Sequence, residues 1–319
     1  MTKIPATVLT GYLGSGKTTI LNHMLAGQHG KRIAIIINEF GEVGIDGQLV
    51  VRSEEDVLEL SNGCICCTIR GDLIRTVDSL LSNDRSFDHL VIETTGLADP
   101  APIIQSFVLE QTLSGRLELD AIVTVVDSRH ITTQLASEQA REQIAFADVV
   151  LINKTDLVSE PELATISKKI RMLNPLARIH FTRMGQIDLS AVLSVKAFDL
   201  KNLLRLDPRL LDDTSHQHDE DISCVAISEP GITDDGDLMR WLNRLVQAQG
   251  RDLLRIKGVI NLEGEDRRFV FHGVHMTLDG RPGKPWQLNE PRMNQVVFIG
   301  RNLDRETLRL GFAACVRPT

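Results

Sequence analysis

Two short segments of this chain gather side chains whose types and spacing could do chemistry. The first is Gly11-Tyr12-Leu13-Gly14-Ser15-Gly16-Lys17-Thr18, three glycines set around one lysine with hydroxyls at Ser15 and Thr18. Glycines at 11, 14 and 16 let main-chain N–H groups turn inward around phosphate oxygens. Lys17 can then reach the β and γ oxygens, and the Thr18 hydroxyl can ligate Mg²⁺. Ser15 and Thr19, in the same run, join them as nucleotide-binding candidates. The second segment is Cys64-Ile65-Cys66-Cys67. Thiols packed this closely suit soft or borderline metals, which they bind as thiolates.

Two further motifs follow in chain order. Leu90-Val91-Ile92-Glu93-Thr94-Thr95-Gly96 is an apolar run ending in an acid and a glycine. A carboxylate at that point can assist Mg²⁺ directly or through water, and the Gly96 N–H can meet a γ-phosphate, so Lys17, Thr18, Glu93 and Gly96 are the catalytic candidates. Asn153-Lys154-Thr155-Asp156 follows another apolar run. Its Asp156 carboxylate can accept from N1–H and N2–H₂ of guanine, a donor pair that adenine lacks, so the expected ligand is GTP or GDP.

These motifs need a frame that aims them at one point. Ala6–Thr10, Ile33–Ile37, Leu90–Ile92, Ala121–Val126 and Val149–Ile152 are continuous apolar, β-branched runs separated by longer amphipathic stretches. Parallel strands buried on both faces read this way. The expected fold is therefore α/β, a doubly wound, mostly parallel P-loop GTPase sheet followed by a smaller C-terminal α+β domain. Ligands belong at the C-terminal ends of such strands.

Length and composition set limits. At 319 residues, two cores are expected rather than one. The boundaries read as a GTPase domain with the metal motif over 1–203, a linker over 204–221 and the C-terminal domain over 222–319. A net charge of -8 with no basic stripe offers nucleic acid no electrostatic footprint. No apolar run approaches the roughly 20 residues of a membrane helix, and the first residues lack a signal-peptide pattern, so a cytoplasmic protein without a membrane partner is expected. Five cysteines, three of them between 64 and 67, do not resemble the even framework of a secreted domain.

The thiols leave more than one reading open. In an extended segment Cys64 and Cys66 share a face while Cys67 points away, so all three share an ion only if the chain turns. No second Cys or His pair stands at zinc-finger spacing, which favours an incompletely caged, transferable metal position over a closed structural one. Buried thiols acting as small hydrophobes, or a Cys64–Cys67 disulfide, are the alternatives. Cys224 and Cys315 read as packing residues. Between the phosphate loop and Glu93 also lies Asn38-Glu39-Phe40-Gly41-Glu42-Val43-Gly44-Ile45-Asp46, acidic and glycine-jointed, where P-loop GTPases carry a loop that answers to the γ-phosphate.

Taken in order, Gly-Tyr-Leu-Gly-Ser-Gly-Lys-Thr-Thr, Asn-Glu-Phe-Gly-Glu-Val, Asn-Gly-Cys-Ile-Cys-Cys, Glu-Thr-Thr-Gly and Asn-Lys-Thr-Asp resemble the CobW-type GTPase family, close to its YjiA-like branch. Arg255-Ile256-Lys257-Gly258, Gly273-Val274-His275, Trp286 and Val297–Arg301 resemble that family's second domain. The resemblance implies a metallochaperone that handles zinc or cobalt through Cys64, Cys66 and Cys67, with Glu42 as an oxygen ligand, and that serves a client metalloprotein. Homo-oligomers are compatible with it. One departure stands out: the YjiA-like branch can carry an acid two residues before Glu39, and this chain has Ile37 there.

In the C-terminal third, Cys224–Ile227, Leu253–Leu262, Arg268–Leu278 and Gln295–Gly300 read as strands, with helices near Asp235–Gln247 and Asp304–Phe312. His272 and His275 then lie three apart on one strand and face opposite sides, so at least one is a packed residue rather than a ligand. His216 and His218, in the acidic linker, are a compositional hint of a second metal position. The sequence thus reads as a GTP-hydrolysing metallochaperone. A regulatory GTPase with a structural zinc or redox-sensing thiols is the alternative.

Overall fold

The computed structural model describes residues 3–27, 30–38, 57–60, 74–78, 80–81, 87–197, 222–288 and 290–318. Glu42, Cys64, Cys66, Cys67 and the segment 204–221 with His216 and His218 lie outside the described residues. The chain divides into two compact units, one built on a seven-stranded sheet and one on a five-stranded sheet.

The first runs through β1 (Ile4–Thr10), α1 (Lys17–Ala26), β2 (Ile33–Asn38), β3 (Val57–Leu60), β4 (His89–Glu93), α2 (Ala101–Leu109), α3 (Gln111–Arg116), β5 (Leu117–Asp127), α4 (Ile131–Gln134), α5 (Glu138–Phe146), β6 (Val149–Asn153), α6 (Glu160–Leu173) and β7 (Arg178–Phe181). The strand order is β3-β2-β4-β1-β5-β6-β7, and every pairing is parallel. The β-branched runs explain this. All five residues of β4 and all five of β6 are buried, as strands covered on both faces must be.

Leu9, Ile35, Val91, Val123, Val125 and Leu151 project to one face, where Ile20, Leu21, Met24 and Leu25 of α1 close the core. On the opposite face α5 is tied down by the Thr124 hydroxyl, which donates to the Gln143 carbonyl at 2.7 Å. Ile37, at the position where the YjiA-like acid was sought, is 2% exposed and packs into the α1-side core. A side chain so placed offers no ligand.

The second unit comprises β8 (Ile222–Pro230), β9 (Ile232–Thr233), α7 (Asp235–Gln249), β10 (Leu253–Ile260), β11 (Arg267–Val274), β12 (Thr277–Pro285), β13 (Met293–Arg301), α8 (Arg305–Ala313) and β14 (Val316–Arg317). Its main sheet is antiparallel in the order β12-β11-β10-β13-β8, and β9 pairs with β14. Both helices begin at an aspartate cap. Asp234 accepts from the Asp237 N–H at 2.9 Å and Asp304 from the Glu306 N–H at 3.0 Å, which satisfies first-turn donors. Leu238, Leu242, Leu308 and Phe312 of the helices share one core with Ile256, Phe271 and Phe298 of the sheet. Trp241 stands edge-on to Phe298, with centroids 6.0 Å apart.

One expectation is corrected here. Arg268–Leu278 is not one strand but the hairpin β11–β12, turning at His275 and Met276. His275 takes the left-handed φ of 50° that the turn needs, so the argument from strand alternation does not apply to it. His272 does stay on β11, where burial pushes its pKa down to about 4 and Asp279 faces it at 3.5 Å. It is a neutral packed residue at physiological pH.

Candidate nucleotide site

The strand tips converge on the loop between β1 and α1. Gly11, Gly14 and Gly16 all have positive φ, at 142°, 72° and 102°. Gly16 is also the cap of α1, and no side chain caps that helix. Its first-turn N–H groups therefore remain available to an anion at the positive end of the helix dipole. The Ser15 hydroxyl is fully buried and has no hydrogen-bond partner among the described residues. Uncapped helix amides behind a loop of positive-φ glycines fit a phosphate-bearing ligand. Lys17 folds back so that Nζ donates to the Gly11 carbonyl at 2.9 Å, while Thr18 is partly exposed and Thr19 exposed on the first turn.

The Asn153-Lys154-Thr155-Asp156 turn grips this loop directly. The Asn153 side-chain amide donates to the Ser15 carbonyl at 3.0 Å. Its own oxygen accepts from the Thr182 hydroxyl at 2.8 Å and from the Gly185 N–H at 3.2 Å. A Cβ on Gly16 would lie 2.4 Å from Asn153 Nδ2, so only glycine fits there. Lys154 adopts a left-handed φ of 59°, and its Nζ donates to the Gly14 carbonyl and to the Asp127 carboxylate, each at 2.7 Å. Asp156 is exposed on the short 3₁₀ turn Thr155–Leu157 that follows.

Asp127 closes β5 opposite Asn153 in register. Burial pushes its pKa up, but hydrogen bonds from Lys154, from the His130 ring and from the Arg129 N–H outweigh burial and hold it below the usual carboxylate range. It is therefore a fixed anion beneath the Lys154 ammonium.

On the other flank, Glu93 stands 4% exposed at the end of β4, in register with Leu9. The next residue stitches β4 to the end of β1, just before the phosphate loop: the Thr94 N–H donates to the Leu9 carbonyl at 2.9 Å and its hydroxyl to Thr10 Oγ1 at 2.8 Å. Gly96 is buried against the phosphate loop, and a Cβ there would sit 2.7 Å from the Leu13 nitrogen. Gln143 of α5 donates to the carbonyls of both Gly96 and Ala98 at 3.2 Å.

The structure thus gathers Gly11–Thr19, Glu93–Gly96 and Asn153–Asp156 at one end of one sheet. Sequence reasoning passed over Asp127, Gln143, Thr182 and Gly185. An acid at the tip of an apolar strand was the available signal for Asp127. Cys224 is desolvated until its thiol is pushed up to about 12, and burial also raises that of Cys315, so both remain protonated packing residues. Among the described residues no group of three His, Cys, Asp or Glu side chains is placed to hold a metal. None of their helices is long and apolar enough to cross a membrane.

A parallel sheet with a glycine-rich loop entering an uncapped helix, and a second motif clasping that loop, defines a P-loop nucleotide-binding protein. The chain matches the "CobW/HypB/UreG, nucleotide-binding domain" family over residues 5–181 and the "Cobalamin synthesis protein cobW C-terminal domain" over 222–316, and it belongs to this family. It is 36% identical to the zinc chaperone YjiA of Escherichia coli, covering 98% of this chain and 99% of that one. It is 32% identical to the zinc-regulated GTPase metalloprotein activator 1 of Schizosaccharomyces pombe, covering 95% of this chain and 83% of the other. The crystal structure of Zn(II)-bound YjiA GTPase from E. coli superposes with a TM-score of 0.79 at 32% identity, covering 99% of this chain and 100% of that one.

Proposed function

We propose that the chain is a GTP-hydrolysing metallochaperone that carries zinc or cobalt on Cys64, Cys66 and Cys67, with Glu42 as an oxygen ligand, and hands it to a client metalloprotein. The observation that carries the nucleotide half is the Asn153–Ser15 hydrogen bond at 3.0 Å, which makes the base-reading motif and the phosphate loop one rigid cradle. The relatives named as zinc chaperones and as a zinc-regulated GTPase support the metal half.

In this reading Asp156 accepts from the guanine edge, and the main-chain N–H groups of Gly14–Thr19 receive the phosphates. Lys17 leaves the Gly11 carbonyl to meet the β and γ oxygens, and the Gly96 N–H meets the γ-phosphate. The Thr18 hydroxyl, with the Glu93 carboxylate assisting directly or through water, would hold Mg²⁺, which when bound would supply neutralisation of phosphate charge. The transition metal is cargo. The acidic loop and the thiols lie in sequence between the phosphate loop and Glu93–Gly96, so both can be ordered by the γ-phosphate.

Metal should then bind more tightly with GTP than with GDP, and linkage requires metal to tighten GTP by the same factor, about 5- to 150-fold in typical systems. The test titrates zinc and cobalt against protein holding a GTP analogue, GDP or no nucleotide, and repeats this with Cys64→Ala and Cys66→Ala. Cobalt–thiolate absorption should vanish in the variants while GTP binding persists. Equal metal affinity in both nucleotide states would end the release mechanism and favour a regulatory GTPase with structural zinc.

A further inference from the structure

Gln143 is 1% exposed, on a helix whose sequence gives no hint of a role in the site. Its side-chain nitrogen lies 3.2 Å from the carbonyl oxygen of Gly96 and 3.2 Å from that of Ala98. A carbonyl only accepts, so the face turned toward both must be the NH₂, and each of its two hydrogens has a partner. Glutamine is the side chain of this length that offers two donors without bringing a charge into a buried space.

The clamped loop is already held at its other points. Thr94 is tied to β1 through Leu9 and Thr10, and Asp99 accepts from the Ala101 N–H at 2.8 Å as α2 begins. Gly96 lies so close to Leu13 that a Cβ would be 2.7 Å from its nitrogen. Between those anchors the plane of the peptide that follows Gly96 is fixed by the Gln143 donor on its oxygen. That peptide shares the Gly96 Cα with the peptide that carries the Gly96 N–H, so a shift of the carbonyl end changes the path of the loop on which the N–H sits.

We propose that Gln143 is a positioning residue for the γ-phosphate: it holds the Gly96–Ala98 loop in the orientation in which the Gly96 N–H faces the terminal phosphate. This rests on the GTP reading above. It assigns the discrimination between GTP and GDP partly to a helix that touches neither nucleotide. The clamp has a second consequence. Gln143 is anchored to β5 through Thr124, and α5 leads directly into β6, which ends in Asn153. The same helix is thereby tied both to the Gly96–Ala98 loop and to the central strand β5.

The test is Gln143→Met, which keeps length and bulk and removes both donors. Losing two hydrogen bonds aimed at one loop should lower single-turnover GTP hydrolysis about 10- to 100-fold and weaken a non-hydrolysable GTP analogue about 5- to 30-fold. GDP affinity should stay within about twofold, because the Gln143 amide bonds to the Gly96 and Ala98 carbonyls and not to the Gly14–Thr19 main chain that receives the α- and β-phosphates. A folded variant that hydrolyses GTP at the wild-type rate, or that loses GDP and GTP affinity equally, overturns the assignment. Should the variant not fold, hydrogen exchange on the wild-type protein decides. Amides of 94–99 and of 138–146 should slow together when the GTP analogue replaces GDP, and exchange in α5 indifferent to that replacement overturns it. Wild-type protein that binds neither guanine nucleotide would instead remove the GTP reading itself.

Discussion

Lys154 Nζ sits midway between two oxygens of opposite origin, the Gly14 carbonyl of the phosphate loop and the Asp127 carboxylate at the tip of β5, 2.7 Å from each. Lys154 is thus a strut of the phosphate loop. Its ammonium is held by an anion and applied to the main chain that must wrap the phosphates. Asp127→Asn keeps the shape but removes the charge, and should destabilise the domain by about 1–2 kcal/mol, the scale of a hydrogen bond to a charged group that is partly solvated. GTP and GDP should both bind less tightly. Calorimetric unfolding and nucleotide titration check this, and unchanged values would show that Lys154 is placed without its counter-ion.

The same carboxylate sets a pH dependence whose sign follows from its lowered pKa. A group that holds its proton less tightly when folded contributes stability above its ordinary pKa of 3.8, and that contribution is lost as pH falls through the lower folded value. Wild-type stability should therefore fall on acidification below about pH 4 more steeply than that of Asp127→Asn. Parallel acid limbs would mean that Asp127 is no better paired in the native state than in the unfolded one.

Gly16→Ala tests the cradle from the other side. A Cβ would meet the Asn153 amide at 2.4 Å, and φ is 102°, a conformation that alanine reaches only with strain. A cost of about 1–3 kcal/mol is expected from the backbone alone, with nucleotide affinity lowered further because Asn153 must move. Melting temperature with and without GDP reports both effects. Full retention of GDP-induced stabilisation would contradict the fit of Asn153 over this glycine.

Base specificity should reside in Asp156. Asp156→Asn should weaken GTP and improve xanthosine triphosphate, since the amide donates where the carboxylate accepts. Competition between the two nucleotides measures the switch. GTP affinity that survives the change would place base reading elsewhere.

Intrinsic turnover should be slow. Leu97, 52% exposed, follows Gly96 where water-positioning GTPases often carry glutamine, so hydrolysis without metal or partner is expected at about 10⁻⁴ to 10⁻² s⁻¹. Phosphate release from the purified, metal-free protein checks the rate, and rapid turnover would require another residue to orient the water.

The sheet was legible because its strands are apolar on both faces, and such runs hardly depend on context. β7 was not, since Arg178-Ile179-His180-Phe181 is short, polar in part and only half-buried. The β11–β12 hairpin was read as one strand because its turn uses His275 and Met276, with neither glycine, proline nor asparagine to mark it. Gly11–Thr18, Glu93–Gly96 and Asn153–Asp156 announced themselves because ligand chemistry dictates their spelling. Gln143, Thr182 and Gly185 did not, because each acts on a main-chain or amide group remote in sequence, while Asp127 offered only an acid at a strand tip and finds its lysine partner 27 positions away. Gln143 reaches its targets across 47 and 45 positions, and no local pattern records that.

The Asn153–Ser15 contact also joins positions 138 apart in the chain. With every strand of its sheet parallel, none of these pairings can form as a local hairpin, and loop closure must be met before any contact rewards it. During synthesis the phosphate loop is made early, yet it stays without its clasp until β6 and the Thr182–Gly185 turn have left the ribosome. A nucleotide that needs both motifs can bind only the completed domain, and each molecule so bound would draw the folding equilibrium toward it by mass action.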